Sequence, residues 1–183
     1  MKMLTTANRK RLLARQSGFT LIEMLVVVVV LGILAMIIIP QVAVSTDDAS
    51  LRTLETNLST LRSAIELYYH QHNSNYPGAT NETTGAATAT DAEAATAMVA
   101  QLTKYSAVTG VVANTKGGVN IYGPYIKGLT LPVNPYNNLD TVICDFDEAD
   151  ITVRSSAGTN SGWKFYPVTG VLIPGDNGAH DSL

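Results

Sequence analysis

Ser17-Gly18-Phe19-Thr20-Leu21-Ile22-Glu23-Met24-Leu25 opens an apolar run that continues to Ile39. From Phe19 to Ile39 there is a single charge, Glu23. As a helix this stretch spans roughly 31 Å, about the hydrocarbon thickness of a bilayer. Its five consecutive valines, Val26 to Val30, are poor helix formers in water. In lipid the backbone must satisfy its own hydrogen bonds, so a helix is expected anyway. A carboxylate at the head of such a run is costly, which marks Glu23 as functional.

Upstream, residues 1–18 contain Lys2, Arg9, Lys10, Arg11 and Arg15 and no acid. The remainder holds seven basic and fifteen acidic residues. A positive end retained at the cytoplasmic side and an acidic body moved across the membrane match this split. It argues against nucleic acid as a partner, since phosphate binding needs a basic face. The leader is short, basic and aperiodic, so it reads as a targeting segment and not as structure. Arg9-Lys10-Arg11 is not a clean twin-arginine pair. Ala43-Val44-Ser45 offers small residues to a signal peptidase, but the apolar core is longer than the usual 7–15 residues of a secretory signal. A plain single-span anchor gives Glu23 no purpose.

Downstream, Gly32 and Pro40 punctuate the apolar helix and form a segment able to loosen. The helical pattern continues past them. Leu51, Leu54, Leu58, Leu61, Ile65 and Tyr68 recur at steps of three and four, one face of an amphipathic helix. Asn73-Ser74-Asn75-Tyr76-Pro77-Gly78 is a stop signal, so the helix is expected to end near His72. Fewer than three heptads are present for a coiled coil. The stripe therefore calls for cover from the C-terminal part.

Residues 78–90 read as a flexible loop of Gly, Ala, Thr and Asn. Asp91–Tyr105 reads as a second amphipathic helix through Ala94, Ala95, Met98, Val99 and Leu102, with Asp91 as N-cap. Residues 106–120 read as irregular. Strand candidates are Thr141–Cys144, Ile151–Arg154, Trp163–Tyr166 and Val171–Ile173, the last two joined by the turn Pro167-Val168-Thr169-Gly170. The expected fold class is α+β: a long N-terminal helix, transmembrane in its first half, packed on a small C-terminal antiparallel sheet. The expected organisation is a leader (1–18), a membrane or core helix (19–40), its amphipathic continuation (41–77) and a soluble α+β domain (78–183).

Catalysis finds no support in these residues. His70 and His72 are two apart and share no helix face, His180 stands alone, and no phosphate-cradling glycine loop or metal-ligand spacing occurs. The one cysteine, Cys144, makes no internal disulfide and reads as a small buried apolar side chain. The chain is not expected to be an enzyme.

The basic leader, Gly18-Phe19-Thr20-Leu21-Ile22-Glu23 and the apolar helix resemble the processing signal of type IV pilin-like proteins. That resemblance implies cleavage between Gly18 and Phe19 by a prepilin peptidase and N-methylation of Phe19. It also implies pairing of Glu23 with the Phe19 amine of a neighbouring subunit, and loosening of the helix around Gly32 and Pro40 in a filament. Gly123-Pro124-Tyr125-Ile126-Lys127, Leu131-Pro132-Val133-Asn134-Pro135-Tyr136-Asn137-Asn138 and Gly162-Trp163-Lys164-Phe165-Tyr166-Pro167-Val168-Thr169-Gly170 resemble segments of type II secretion major pseudopilins. Many pilins close their C-terminal loop with a disulfide, which a single cysteine forbids here.

The resemblance thus implies a pilin-like fold and a structural subunit of a type II secretion pseudopilus. A surface type IV pilus and a membrane-anchored binding module that never polymerises are the alternatives. Implied partners are copies of itself, minor pilin-like subunits, the peptidase and an inner-membrane assembly platform. The implied location is the bacterial inner membrane, with the N-terminus cytoplasmic and the C-terminal domain outside, and then the filament. No cofactor is expected beyond calcium, which major pseudopilins commonly bind. Asp176, Asn177 and Asp181 would supply oxygen ligands. The cluster Asp145, Asp147, Glu148 and Asp150 is the other candidate, and a merely solvated tail is the alternative to both.

Overall fold

The computed structural model describes residues 18–156, 158, 160–176 and 178–183, with residues 37–45 described by their backbone alone. Most of the leader and Asn177 lie outside this set. Two compact units are present, Met1–Ser45 and Thr46–Leu183. Helix α1, Leu21–Gln71, runs through both, ending one residue short of the expected stop. Among the described residues no helix is long and apolar enough to cross a membrane. The expected span, 19–40, extends into residues whose side chains are not described.

In the first unit, the large apolar side chains from Leu21 to Met36 all remain open to solvent. In the second unit, α1 buries Leu54, Leu58, Leu61, Ala64, Ile65 and Tyr68. This is the stripe read from the spacing, less Leu51, which is only half-buried. Each fully buried leucine or isoleucine contributes on the order of 2 kcal/mol. Arg62, on the polar side of that pattern, is half-buried instead. Its Nη2 donates to Leu172 O at 2.8 Å and to Leu183 O at 2.6 Å.

Helix α2, Asp91–Thr103, packs Ala94, Met98 and Leu102 into the same core. Its N-cap is Thr90, not Asp91: the Thr90 hydroxyl accepts the Glu93 N–H at 3.2 Å. The Glu93 carboxylate accepts the Ala89 N–H at 3.0 Å, so Thr90 and Glu93 seal this helix start together. Asp91 turns away and accepts the Phe146 N–H at 2.9 Å.

Two small sheets complete the unit. Strands β1, Tyr105–Ser106, and β2, Val112–Ala113, pair antiparallel where an irregular stretch was expected. Two-residue strands are too short to show a period of two. Strands β3, Val142–Cys144, β4, Trp163–Tyr166, and β5, Val171–Pro174, form the main sheet in that order. The β4–β5 pair is the expected antiparallel hairpin. The β3–β4 pair is parallel, so the sheet is mixed and the all-antiparallel expectation is corrected. A parallel neighbour needs a return crossover, and the long connection between β3 and β4 supplies it. Ile151–Arg154 lies in that connection as a turn at Ile151 and Thr152 followed by irregular chain, not as a strand. Asp150 is the cause: its Oδ1 accepts both the N–H (2.8 Å) and hydroxyl (2.7 Å) of Thr152, giving the backbone a local alternative to a ladder.

Trp163 and Phe165 on β4 are fully buried against α1 and α2 residues. The Trp163 indole N–H donates to Pro132 O at 2.7 Å. Buried Asn134 ties the proline-rich turn to the sheet, donating from Nδ2 to Gly162 O at 2.9 Å and accepting the Tyr136 N–H. Hydrogen bonds tie the start of the loop at 78–90 to α2 and to Gly110. Buried Gln101 accepts the Gly78 N–H and donates to Thr80 O and Gly110 O.

Candidate functional site: the N-terminal segment

Gly18, Phe19 and Thr20 precede α1 without regular structure and are exposed. Phe19 is 80% exposed. A Cβ added at Gly18 would meet nothing within 4 Å, so no contact among the described residues requires glycine there. Gly32 is likewise in open space. Neither glycine has a packing reason among the described residues.

Glu23 has a local partner that the sequence reading missed. Its Oε2 accepts the Thr20 N–H at 2.8 Å and the Thr20 hydroxyl at 2.9 Å, while Thr20 Oγ1 accepts the Glu23 N–H at 3.3 Å. This is a capping box, in which two N-terminal donors are satisfied reciprocally. The signal was present as Thr-x-x-Glu before an apolar run. Glu23 also lines a groove of about 400 Å³ with Phe19, Ile22, Met24, Val26 and Val27. Of the described residues, then, the structure brings Phe19 and Glu23 to one groove and leaves Gly32 apart. The side chain of Pro40 lies outside the described set; the α1 backbone continues through it.

The other candidates are placed as follows. Asp176 is buried, with Oδ2 at 2.6 Å from His180 Nδ1. Among the described residues its Oδ1 is buried without a hydrogen-bond partner, as is Asp181 Oδ1; Asp181 Oδ2 accepts the Ser156 N–H at 3.1 Å. These are not solvated tail carboxylates. Two such oxygens have the donor chemistry of a hard cation such as calcium. Among the described residues no group of three or more His, Cys, Asp or Glu side chains is arranged to hold a metal ion. Three of the four residues in the acidic cluster are otherwise engaged: Asp145 pairs with Lys164 at 3.1 Å, Glu148 accepts the Asp150 N–H, and Asp150 holds Thr152, while Asp147 is exposed.

His72 is buried against Tyr68, the two rings stacked face to face with centroids 3.7 Å apart and planes nearly parallel. Its Nδ1 lies 2.9 Å from Tyr68 O and its Nε2 2.9 Å from Ser106 Oγ. Burial lowers its pKa. The neutral ring therefore donates from Nδ1 and accepts the serine hydroxyl at Nε2. A base beside a hydroxyl suggests a nucleophile pair, but Ser106 is 0% exposed and no substrate reaches it. Cys144 is buried as expected, its thiol pushed up to about 12 by burial.

Residues 13–39 match the family described as the prokaryotic N-terminal methylation motif. Type II secretion system core protein G of Pseudomonas aeruginosa is 44% identical over 54 residues, covering 30% of this chain and 38% of the relative. The protein of the same name from Vibrio cholerae serotype O1 is 40% identical over 63 residues, 34% of this chain and 42% of the relative. That from Aeromonas hydrophila is 38% identical over 63 residues, 34% and 43%. The chain thus spans about two-fifths of the length of these relatives. No solved structure matches. The chain carries the N-terminal methylation motif, and its N-terminal region is similar to core protein G of the type II secretion system.

Proposed function

We propose that this chain is a structural subunit of a type II secretion pseudopilus. It is inserted in the bacterial inner membrane with residues 1–18 cytoplasmic and the unit Thr46–Leu183 outside. A prepilin peptidase cuts between Gly18 and Phe19 and methylates the new terminus. Subunits then polymerise, with help from minor pilin-like subunits and an inner-membrane platform, and filament growth moves protein cargo outward.

The observation that carries this reading is the apolar surface from Leu21 to Met36, which no part of the chain covers among the described residues. A helix apolar all round must be covered by lipid, by protein, or by each in turn. A temporary membrane anchor that becomes a filament core meets that demand. The second support is Glu23 in the groove beside Phe19. In a low-dielectric core, leaving a carboxylate unpaired is expensive, so pairing with the amine of a neighbouring Phe19 fixes axial register more than it adds stability.

Mass spectrometry of the mature N-terminus tests the processing step. Methylated Phe19 is expected; a terminus near residue 46 would mean ordinary signal-peptide cleavage. Glu23→Lys is expected to abolish filament assembly and secretion while leaving the soluble unit folded. Intact assembly in that variant would remove the main support.

A further inference from the structure

Two Asn-x-Ser/Thr triplets occur in the chain, Asn57-Leu58-Ser59 and Asn81-Glu82-Thr83. This triplet is the acceptor pattern for N-linked sugars on exported proteins. The structure separates the two. Asn57 lies inside α1, and its Nδ2 already donates to Val133 O at 3.1 Å. Asn81 lies in a small hairpin closed by the Thr80–Ala87 bridge and by the bond from Asn81 N to Ala86 O at 2.7 Å.

At Asn81 the side-chain oxygen accepts the N–H groups of Thr83 (2.9 Å) and Thr84 (3.0 Å) and the Thr84 hydroxyl at 3.3 Å. Donors concentrated on an amide oxygen draw electrons toward it, which acidifies the amide nitrogen. That nitrogen makes no hydrogen bond among the described residues. Thr83 and Thr84 are exposed at the tip, and Glu82 Oε2 is turned out of solvent. The Val112 N–H holds Glu82 O at 2.9 Å, fixing the tip to β2. The acceptor triplet is thus held in its turn before any enzyme binds.

We propose that Asn81 is an N-glycosylation site, and that the donor is a sugar carried at its anomeric carbon on a diphosphate leaving group. Nδ2 attacks the anomeric carbon. The N–C bond forms as the C–O bond to diphosphate breaks, the diphosphate leaves with the electron pair, and the amide nitrogen gives its proton to a base of the enzyme that makes the transfer. Thr83 supplies the hydroxyl by which the triplet is recognised. This inference rests on the proposed export of Thr46–Leu183.

The test is peptide mass spectrometry of the full chain purified from the cells that naturally make it, with protease accessibility of the soluble unit measured on the same cells after the outer envelope is opened. The Asn81 peptide is expected to carry a sugar mass that an amidase removes, leaving aspartate. The mass is expected to vanish in Asn81→Gln and in Thr83→Val, which keeps the backbone turn. It should persist in Thr83→Ser and in Asn57→Gln. A bare Asn81 on a protease-accessible unit overturns the inference and leaves the export reading standing. A sugar mass that survives Asn81→Gln overturns it too, placing the sugar on a hydroxyl. An inaccessible soluble unit overturns the export reading and the inference with it.

Discussion

The Glu23 carboxylate closes on Thr20, its Oε2 within 2.8 Å of the backbone nitrogen and 2.9 Å of the hydroxyl. A residue read as having no purpose in an isolated anchor therefore has one: it seals the first turn of α1. Capping and intersubunit pairing make separable demands. Capping needs Thr20 and Glu23, whereas pairing needs the carboxylate alone.

Thr20→Ala is expected to lose the cap, at a cost of about 1 kcal/mol to the helix start, and to assemble nonetheless. Glu23→Gln keeps an acceptor for Thr20 but removes the charge, and is expected to assemble poorly. Filament yield from sheared cells separates the two. If Thr20→Ala fails while Glu23→Gln assembles, capping is the whole role of Glu23.

His72 sets an expected pH dependence. Its folded pKa is lowered by burial, so as pH falls the unfolded chain takes up a proton before the folded chain does. The stabilising contribution is present above the unfolded value, about 6.5, and is lost as pH falls through the lower folded value. Denaturant midpoints of the full chain in detergent should drop between about pH 7 and pH 5. His72→Phe retains a ring against Tyr68 and should flatten that drop relative to wild type. Identical pH profiles for the two would show that His72 does not titrate on unfolding.

The oxygens of Asp176 and Asp181 that lack a partner among the described residues predict a calcium response. A ligand that binds only the folded state raises its stability by mass action. Millimolar calcium should raise the thermal midpoint of the chain, and Asp181→Asn should abolish the rise. A midpoint indifferent to calcium in wild type would return these carboxylates to the role of loop braces, Asp176 on His180 and Asp181 on Ser156.

What the sequence made legible follows the strength of its periodicities. The α1 stripe, α2 and the β4–β5 hairpin each repeat long enough to be read, or are punctuated by proline and glycine. The parallel pairing of β3 with β4 was not legible, because pairing direction depends on where an irregular connection returns the chain. Ile151–Arg154 has the composition of a strand, yet Asp150 diverts its backbone. At the N-terminal site the residue types were legible from Gly18, Phe19 and Glu23. The Thr20–Glu23 box is equally visible as Thr-x-x-Glu, but it overlaps the processing motif, so the two signals share the same residues. Asp176 looked solvated because burial in a glycine-rich tail leaves no pattern in sequence.

Gly32 gives the sharpest separation between folding and assembly. A Cβ there meets nothing within 4 Å, and alanine favours a helix over glycine by about 1 kcal/mol. Gly32→Ala should therefore leave the chain folded, with α1 firmer in its first half. If the filament requires this segment to loosen, the same substitution should lower filament yield, because a more stable helix resists unwinding. Gly110→Ala is the contrasting case. That glycine has φ +88°, and a Cβ would press on Thr80, Gln101 and Tyr68, so the soluble unit itself should lose stability. Circular dichroism and thermal midpoints should be unchanged or raised for Gly32→Ala and lowered for Gly110→Ala. Wild-type filament yield from Gly32→Ala would show that the helix does not loosen at this position during assembly.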